Sequence, residues 1–145
     1  MLVLGIGNVL MQDDGIGVYL AEELKEEDND KRIRYVIGET DVDYCLAEAE
    51  EGEFLIILDA VQMGSKKGSV YEVPLTQLTM MEKGIAAHNF HLLHALSLKK
   101  GLLIGVEPYE IDFHFGLSDD LKRDYSIIKQ KVKERILLAV AQEFG

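Results

Sequence analysis

A continuous apolar run over residues 54–58, Phe-Leu-Ile-Ile-Leu, constrains the fold of this chain more than any other segment. A strand without polar alternation is typical of the middle of a parallel sheet that helices cover on both faces. The run leads directly into Asp59. The sequence therefore predicts a central parallel strand with a carboxylate at its carboxyl end.

Other segments alternate between strand and helix patterns. Strands are predicted over residues 2–4, 33–37, 70–73 and 102–106, and helices over 16–24, 41–49 and 89–98. A long C-terminal helix, capped by Ser118 or Asp119, is predicted from an apolar stripe at Leu121, Tyr125, Ile128, Val132 and Ile136. Segment 76–85 fits neither pattern. The order predicts one α/β domain over residues 1–145, a three-layer α/β/α sandwich whose mostly parallel central sheet has about five strands.

The composition limits the possible functions. A chain of 145 residues with 26 acidic and 15 basic side chains carries a net charge of −11, which argues against a broad nucleic-acid-binding surface and favours a cationic or metal-bearing partner. Cys45 is the only cysteine, which excludes a disulfide within the chain and indicates a buried structural thiol. The sequence shows neither a signal peptide nor an apolar run near 20 residues, so we expect a cytoplasmic protein without membrane insertion.

A glycine-rich turn after the first strand ends in two adjacent carboxylates. Residues 5–17 read Gly-Ile-Gly-Asn-Val-Leu-Met-Gln-Asp-Asp-Gly-Ile-Gly, with Asp13 and Asp14 at the strand-to-helix junction. This pattern suits the binding of a cation, although one Asp could instead cap the helix. A dinucleotide site is disfavoured, because the third glycine of the fingerprint is missing and the carboxylates would repel a pyrophosphate.

Three candidate metal ligands are expected on one edge of the sheet. Asp14 precedes the first helix, Asp59 ends a central strand, and His88 precedes the helix that leads to the 102–106 strand. Ligands of a doubly wound sheet bind beyond the carboxyl ends of its strands, where these helices also begin. Two carboxylates and an imidazole suit nickel, zinc or iron, and three protein ligands leave coordination positions open for water, a substrate or a partner.

The other histidines are weaker candidates. His88, His91 and His94 recur at intervals of three residues, so His91 can share a helix face with His88 while His94 points largely elsewhere. His114 is expected to have a structural or supporting role. His91, His94 and His114 are therefore not assigned as ligands.

Taken together, these motifs resemble the maturation endopeptidases of nickel-iron hydrogenases. The resemblance covers nearly the whole chain and depends on the order and spacing of several short motifs: residues 5–10 and 13–17, Leu58-Asp59-Ala60-Val61, His88-Asn89-Phe90-His91-Leu92, Gly105-Val106-Glu107-Pro108 and Gly116-Leu117-Ser118. It implies an α/β/α fold in which Asp14, Asp59 and His88 contact nickel and form the catalytic site.

The resemblance also implies a reaction and a partner. The partner would be the nickel-loaded precursor of a hydrogenase large subunit, which loses its C-terminal extension after nickel insertion. The precursor would supply the nickel, which acts as the recognition element, while zinc or cadmium could occupy the site in isolated protein. The chain contains neither His-Glu-x-x-His nor Gly-x-Ser-x-Gly and shows no evident cysteine nucleophile, so a water activated by metal or carboxylate is the expected attacking group.

Alternative functions use the same residues. A small metal-dependent hydrolase of another substrate would share the three ligands, and a non-catalytic metal-binding protein would share them without turnover. A receiver domain would use Asp59 as a phosphoacceptor, but it needs a lysine near the end of a later strand, where this chain has Glu107. The oligomeric state is left open by the sequence.

Overall fold

A computed structural model of the protein describes residues 1–80 and 90–145. The described strands are β1 (Leu2–Ile6), β2 (Arg34–Glu39), β3 (Leu55–Ala60), β4 (Val70–Pro74) and β5 (Gly101–Val106). The α-helices are α1 (Ile16–Glu27), α2 (Val42–Glu48), α3 (Phe90–Leu96) and α4 (Asp119–Phe144), with 3-10 turns at Gln12–Gly15, Ala49–Glu51 and Leu75–Met80. In these ranges no helix has the length and apolar content that a membrane span requires.

The strands form one sheet in the order β2-β1-β3-β5-β4. All pairs are parallel except β4 with β5, which is antiparallel and places β4 at an edge. The apolar run around residues 54–58 forms β3, between β1 and β5, and its side chains are buried from residue 55 onward. The mostly parallel α/β architecture predicted from the sequence is confirmed.

Two hydrophobic cores cover the two faces of the sheet. One packs residues of α1 and α4 against Val3, Ile56, Leu58 and Ile104. The other packs residues of α2 and α3 against Leu2, Leu4, Leu55, Ile57 and Leu103. In α4 the predicted stripe is buried except at its half-buried Tyr125. This division gives the helix–sheet–helix layering.

Element boundaries differ from the predicted ones by a few residues. The second strand begins at Arg34, although Ile33 is buried, and α3 ends at Leu96, where Ser97 turns back to donate from its hydroxyl to the carbonyl of His94 at 2.6 Å. Asp59 lies within β3, which continues to Ala60. The ambiguous segment 76–85 begins as a 3-10 turn, and its residues 81–85 lie outside the described residues.

Gly17 lets the first helix approach the sheet closely. A Cβ at this position would lie 2.1 Å from the carbonyl oxygen of Leu58 and 2.7 Å from that of Ile6. Both distances are below any van der Waals contact, so only glycine fits without moving backbone. The start of α1 is therefore seated on the carboxyl ends of β1 and β3.

Candidate active site

The order of the strands reverses between β1 and β3. From β1 the chain passes through α1 to β2 on one side, whereas β3 lies on the other side of β1. Ligands of open α/β sheets bind at such a switch point, outside the carboxyl ends of the strands. Asp14 lies in the connection after β1 and Asp59 at the end of β3, so these two predicted residues flank the switch point.

Asp14 is fully buried in the 3-10 turn, which contacts β3. Its Oδ2 accepts a hydrogen bond from the main-chain N–H of Asn8 at 2.8 Å. Gly7, with a φ of 134°, passes so close that a Cβ there would lie 2.1 Å from the carbonyl oxygen of Asp14. The glycine-rich turn thus folds back around the carboxylate that follows it.

Asp59 is also fully buried, and its Oδ1 accepts from the main-chain N–H of Ala60 at 2.8 Å. Alternate residues of a strand share a face, and Leu55, Ile57 and Val61 all belong to the core beneath α2 and α3. Asp59 therefore points to the face that α3 covers. This is the helix that His88 was predicted to precede.

Tyr71 of β4 shares a lateral row of the sheet with Asp59. Both residues pair with Gly105 of β5, one from each side. The ring of Tyr71 fills the space above this glycine, since a Cβ on Gly105 would lie 2.8 Å from Cε2 of the ring. The Tyr71 hydroxyl donates to the carbonyl of Val61. Burial, followed by the negative charges of Glu107 and Asp59, raises the pKa of Tyr71 well above its usual value.

Glu107 anchors the loop that follows Asp59. Its side chain is buried, and Oε1 accepts from the main-chain N–H groups of Met63 and Ser65, both at 3.0 Å. Its own N–H donates to the carbonyl of Ser69 at 3.0 Å. In the sequence, Glu107 belongs to one motif of the resemblance and is a charge that argues against a receiver domain, but no role of its own is predicted for it. A carboxylate directly after a buried strand was the signal that could have identified it.

Asp13 does not cap α1. The helix starts after Gly15, and no side-chain hydrogen bond caps this end in the described structure. The fully buried carboxylate of Asp13 instead accepts hydrogen bonds from the main-chain N–H groups of Tyr109, Glu110 and Ser118 and from the Ser118 hydroxyl. Two adjacent acids that look alike in sequence therefore have different surroundings.

The histidines differ in what the structure describes. His88 lies outside the described residues. His91 and His94 are exposed on α3. The side chain of His114 is exposed as well, while its main chain pairs with the glycine-rich turn: its N–H donates to the carbonyl of Leu10 at 3.0 Å, and its carbonyl accepts from Gln12 at 2.9 Å. The main chain of His114 thus has a structural role.

Within residues 1–80 and 90–145, no group of three or more His, Cys, Asp or Glu side chains is arranged to hold a metal ion. These ranges contribute Asp14 and Asp59 to the predicted ligand set, and the third member is His88. Cys45 is buried on α2, as predicted, and burial followed by the charge of Asp41 raises its thiol pKa to about 11. The thiol is therefore protonated at neutral pH, unlike a nucleophilic cysteine.

A cleft of about 400 Å³ lies beside the glycine-rich turn that follows β1. Asn8, Met11, Thr40 and Ile111 line it, and the N–H of Asn8 is the group that donates to the Asp14 carboxylate. The loops after β1, β2 and β5 thus meet at this cleft, which we call the rim cleft.

The sequence and the structure were compared with known proteins. The family model of hydrogenase maturation proteases matches residues 18–136. The hydrogenase 2 maturation protease of Escherichia coli is 30% identical over 100% of this chain and 92% of its own length. The hydrogenase expression/formation protein HupD of Thiocapsa roseopersicina is 30% identical over 97% of this chain, which spans 64% of that relative.

Solved structures give the same result. The hydrogenase maturating endopeptidase HybD of Escherichia coli superposes with a TM-score of 0.80 at 26% identity, over 99% of this chain and 93% of that one. The [NiFe] hydrogenase maturation protease HybD of Thermococcus kodakarensis superposes with a TM-score of 0.71, also at 26% identity, over 92% and 96% of the two chains. The match extends through the turn containing Asp14, which precedes the residues matched by the family model.

Proposed function

The chain belongs to the hydrogenase maturation protease family and is a peptidase, and on that premise we propose that it removes the C-terminal extension of a nickel-iron hydrogenase large-subunit precursor after nickel insertion. The observation that carries the proposal is the pair of buried carboxylates, Asp14 and Asp59, on either side of the switch point between β1 and β3. The proposal includes a cytoplasmic location.

Asp14, Asp59 and His88 hold the nickel that the precursor brings. Carboxylate and imidazole groups are suitable ligands for a divalent transition metal, and zinc or cadmium can take the same place in isolated protein. A charged carboxylate withdrawn from water is costly, and a divalent cation offsets that cost. With three ligands from this chain, the remaining coordination positions of the metal belong to the precursor. A precursor without nickel is therefore not positioned for cleavage.

The reaction is hydrolysis of one peptide bond. A water adds to the scissile carbonyl, the carbon–nitrogen bond breaks, and the products are a new C-terminal carboxylate on the large subunit and a free amine on the released extension. The metal, when bound, supplies positive charge near that carbonyl. Asp14 and Asp59 bind the metal and restrict where the precursor can lie. Cys45 takes no part, since its thiol is buried and protonated.

The receiver-domain alternative is disfavoured by the residue after β5. A phosphoacceptor pocket needs a cation near this strand end, and Glu107 instead uses its carboxylate to hold the N–H groups of Met63 and Ser65. Membership of a peptidase family also disfavours a receiver domain.

Nickel selectivity tests the proposal. The purified protein is mixed with three substrates: the nickel-loaded precursor, the metal-free precursor and a free peptide with the sequence of the C-terminal extension. We expect cleavage of the loaded precursor alone. Equal turnover of all three would contradict recognition through nickel, and cleavage of an unrelated small substrate without precursor processing would favour the other metal-dependent hydrolase.

A further inference from the structure

Two exposed aromatic side chains, Phe113 and Phe115, follow Ile111 of the rim cleft, and we call them its aromatic border. Phe113 and Phe115 are 80% and 72% exposed, and Leu10 is 48% exposed. They lie on two segments that are joined by main-chain hydrogen bonds of His114. Its N–H donates to the carbonyl of Leu10, and its carbonyl accepts from the N–H of Gln12. Large apolar side chains held outward beside a site are typical of protein interfaces, in which aromatic anchors are enriched.

The loops around the cleft carry charge of one sign. No lysine or arginine occurs in residues 7–15, 38–44 or 107–121. The same segments contain these acids: Asp13, Asp14, Glu39, Asp41, Asp43, Glu107, Glu110, Asp112, Asp119 and Asp120. Basic side chains reach this region from outside it, as Lys67 does at the carbonyl of Tyr109 and Arg123 at Asp120. Such a field attracts a positively charged partner.

We propose that the rim cleft and its aromatic border bind a segment of the protein substrate that carries lysine or arginine. An apolar side chain of this segment enters the cleft between Met11 and Ile111, and its basic residues face Asp43 and Asp112. The inference rests on the proposed function, because it identifies the part of the precursor that this site recognises.

The charge also argues against a second copy of the chain as the occupant. With a net charge of −11, two copies that met through this face would bring the same acidic loops together. Like charges across an interface disfavour association. A basic segment of another protein meets both the apolar and the acidic parts of the surface.

The aromatic border is tested with the double variant Phe113→Ala/Phe115→Ala. Leu98→Ala is the matched control. Leu98 is 93% exposed and precedes β5, at the end of the sheet where the parallel strands begin, opposite to the rim cleft. With nickel-loaded precursor as substrate, we expect the double variant to raise KM by about tenfold with little change in kcat, and the control to leave both unchanged. All three proteins should have the same melting temperature, since these side chains are exposed.

The acidic part is tested separately by Asp43→Asn and Asp112→Asn, both at exposed positions. Neutralising them should slow association with the precursor and weaken its dependence on salt concentration. Glu26→Gln, an exposed change on α1, is the control and should have neither effect.

The possible failures are distinguishable. If the wild-type protein cleaves the loaded precursor and the Phe113→Ala/Phe115→Ala variant has the wild-type KM, the docking surface is wrong while the proposed function stands. If the wild-type protein binds the precursor without cleaving it, and the double variant loses that binding, the surface stands and the proposed function fails. A wild-type protein that neither binds nor cleaves the precursor overturns both.

Discussion

Ser118 donates two hydrogen bonds to Asp13, one from its main-chain N–H to Oδ1 at 2.7 Å and one from its hydroxyl to Oδ2 at 2.8 Å. Ser118 is also the N-cap of α4, where its Oγ accepts from the N–H of Leu121 at 3.2 Å. The start of α4 is thereby joined to the turn that contains Asp14. The two adjacent carboxylates of this turn therefore differ in position: Asp13 is bonded to the start of α4, and Asp14 lies at the switch point.

Asp13→Ala should destabilise the protein by about 3 kcal/mol, more than the loss of a simple helix cap. The change leaves one buried and two partly buried main-chain donors and one hydroxyl without their charged acceptor. Bonds to charged groups contribute about 1.5–3 kcal/mol each, though not additively. Denaturant unfolding measures the effect. Asp119→Ala, an exposed neighbour in the first turn of α4, is the control and should cost under about 1 kcal/mol. A loss for Asp13→Ala no larger than the control's would contradict the structural role.

Asp59→Asn should separate activity from stability. The amide keeps the shape of the side chain and its oxygen can still accept from the N–H of Ala60, while the negative charge of the proposed metal ligand is lost. We expect a wild-type circular-dichroism spectrum and nearly the wild-type melting temperature, with loss of most precursor processing. Glu26→Gln, an exposed change on α1, serves as the control and should process normally. An unfolded Asp59→Asn protein would instead make this carboxylate a structural element.

The difference between Asp13 and Asp14 illustrates what the sequence could predict. The layers, the central strand and a helix cap at Ser118 or Asp119 follow from local periodicity and capping chemistry, which the sequence displays directly. The partners of Asp13 lie 96 to 105 residues away, so no local pattern distinguishes it from its neighbour. The row from Asp59 across Gly105 to Tyr71 likewise depends on strand register, which emerges only when β4 pairs with β5.

Cys45 should make stability depend on pH above neutrality. Burial raises its thiol pKa to about 11, so the folded state keeps a proton that the unfolded chain releases near its ordinary pKa of 9.0. This contribution is complete below about pH 9 and is lost as pH rises towards 11, by up to about 1.4 kcal/mol per pH unit. Melting temperatures of wild type and Cys45→Ala, measured from pH 8 to about pH 11, should converge as pH rises.

Comparing the two proteins isolates the thiol. Burial also raises the pKa values of Tyr35, Tyr71 and Tyr125, so these hydroxyls likewise lower the stability as pH rises. They are present in both proteins, however, and cancel in the comparison. The packing lost in Cys45→Ala lowers its stability at every pH and does not change the slope. Parallel curves would therefore show that the thiol titrates alike in the folded and unfolded states.

Glu107→Ala should loosen the loop that follows Asp59. One buried oxygen of Glu107 accepts from two main-chain N–H groups, of Met63 and Ser65, and bonds to charged acceptors of this kind contribute about 1.5–3 kcal/mol each. We expect a loss of about 3 kcal/mol in unfolding free energy and faster hydrogen exchange at both amides. Glu107→Gln should lose less unfolding free energy, because its amide carbonyl can accept the same bonds.

Glu72→Ala is the control, because it removes a partly exposed ion pair with Arg135. It should cost about 1 kcal/mol or less without changing exchange at Met63 or Ser65. Unchanged exchange at these amides in Glu107→Ala would mean that main-chain contacts of the loop hold it without the carboxylate.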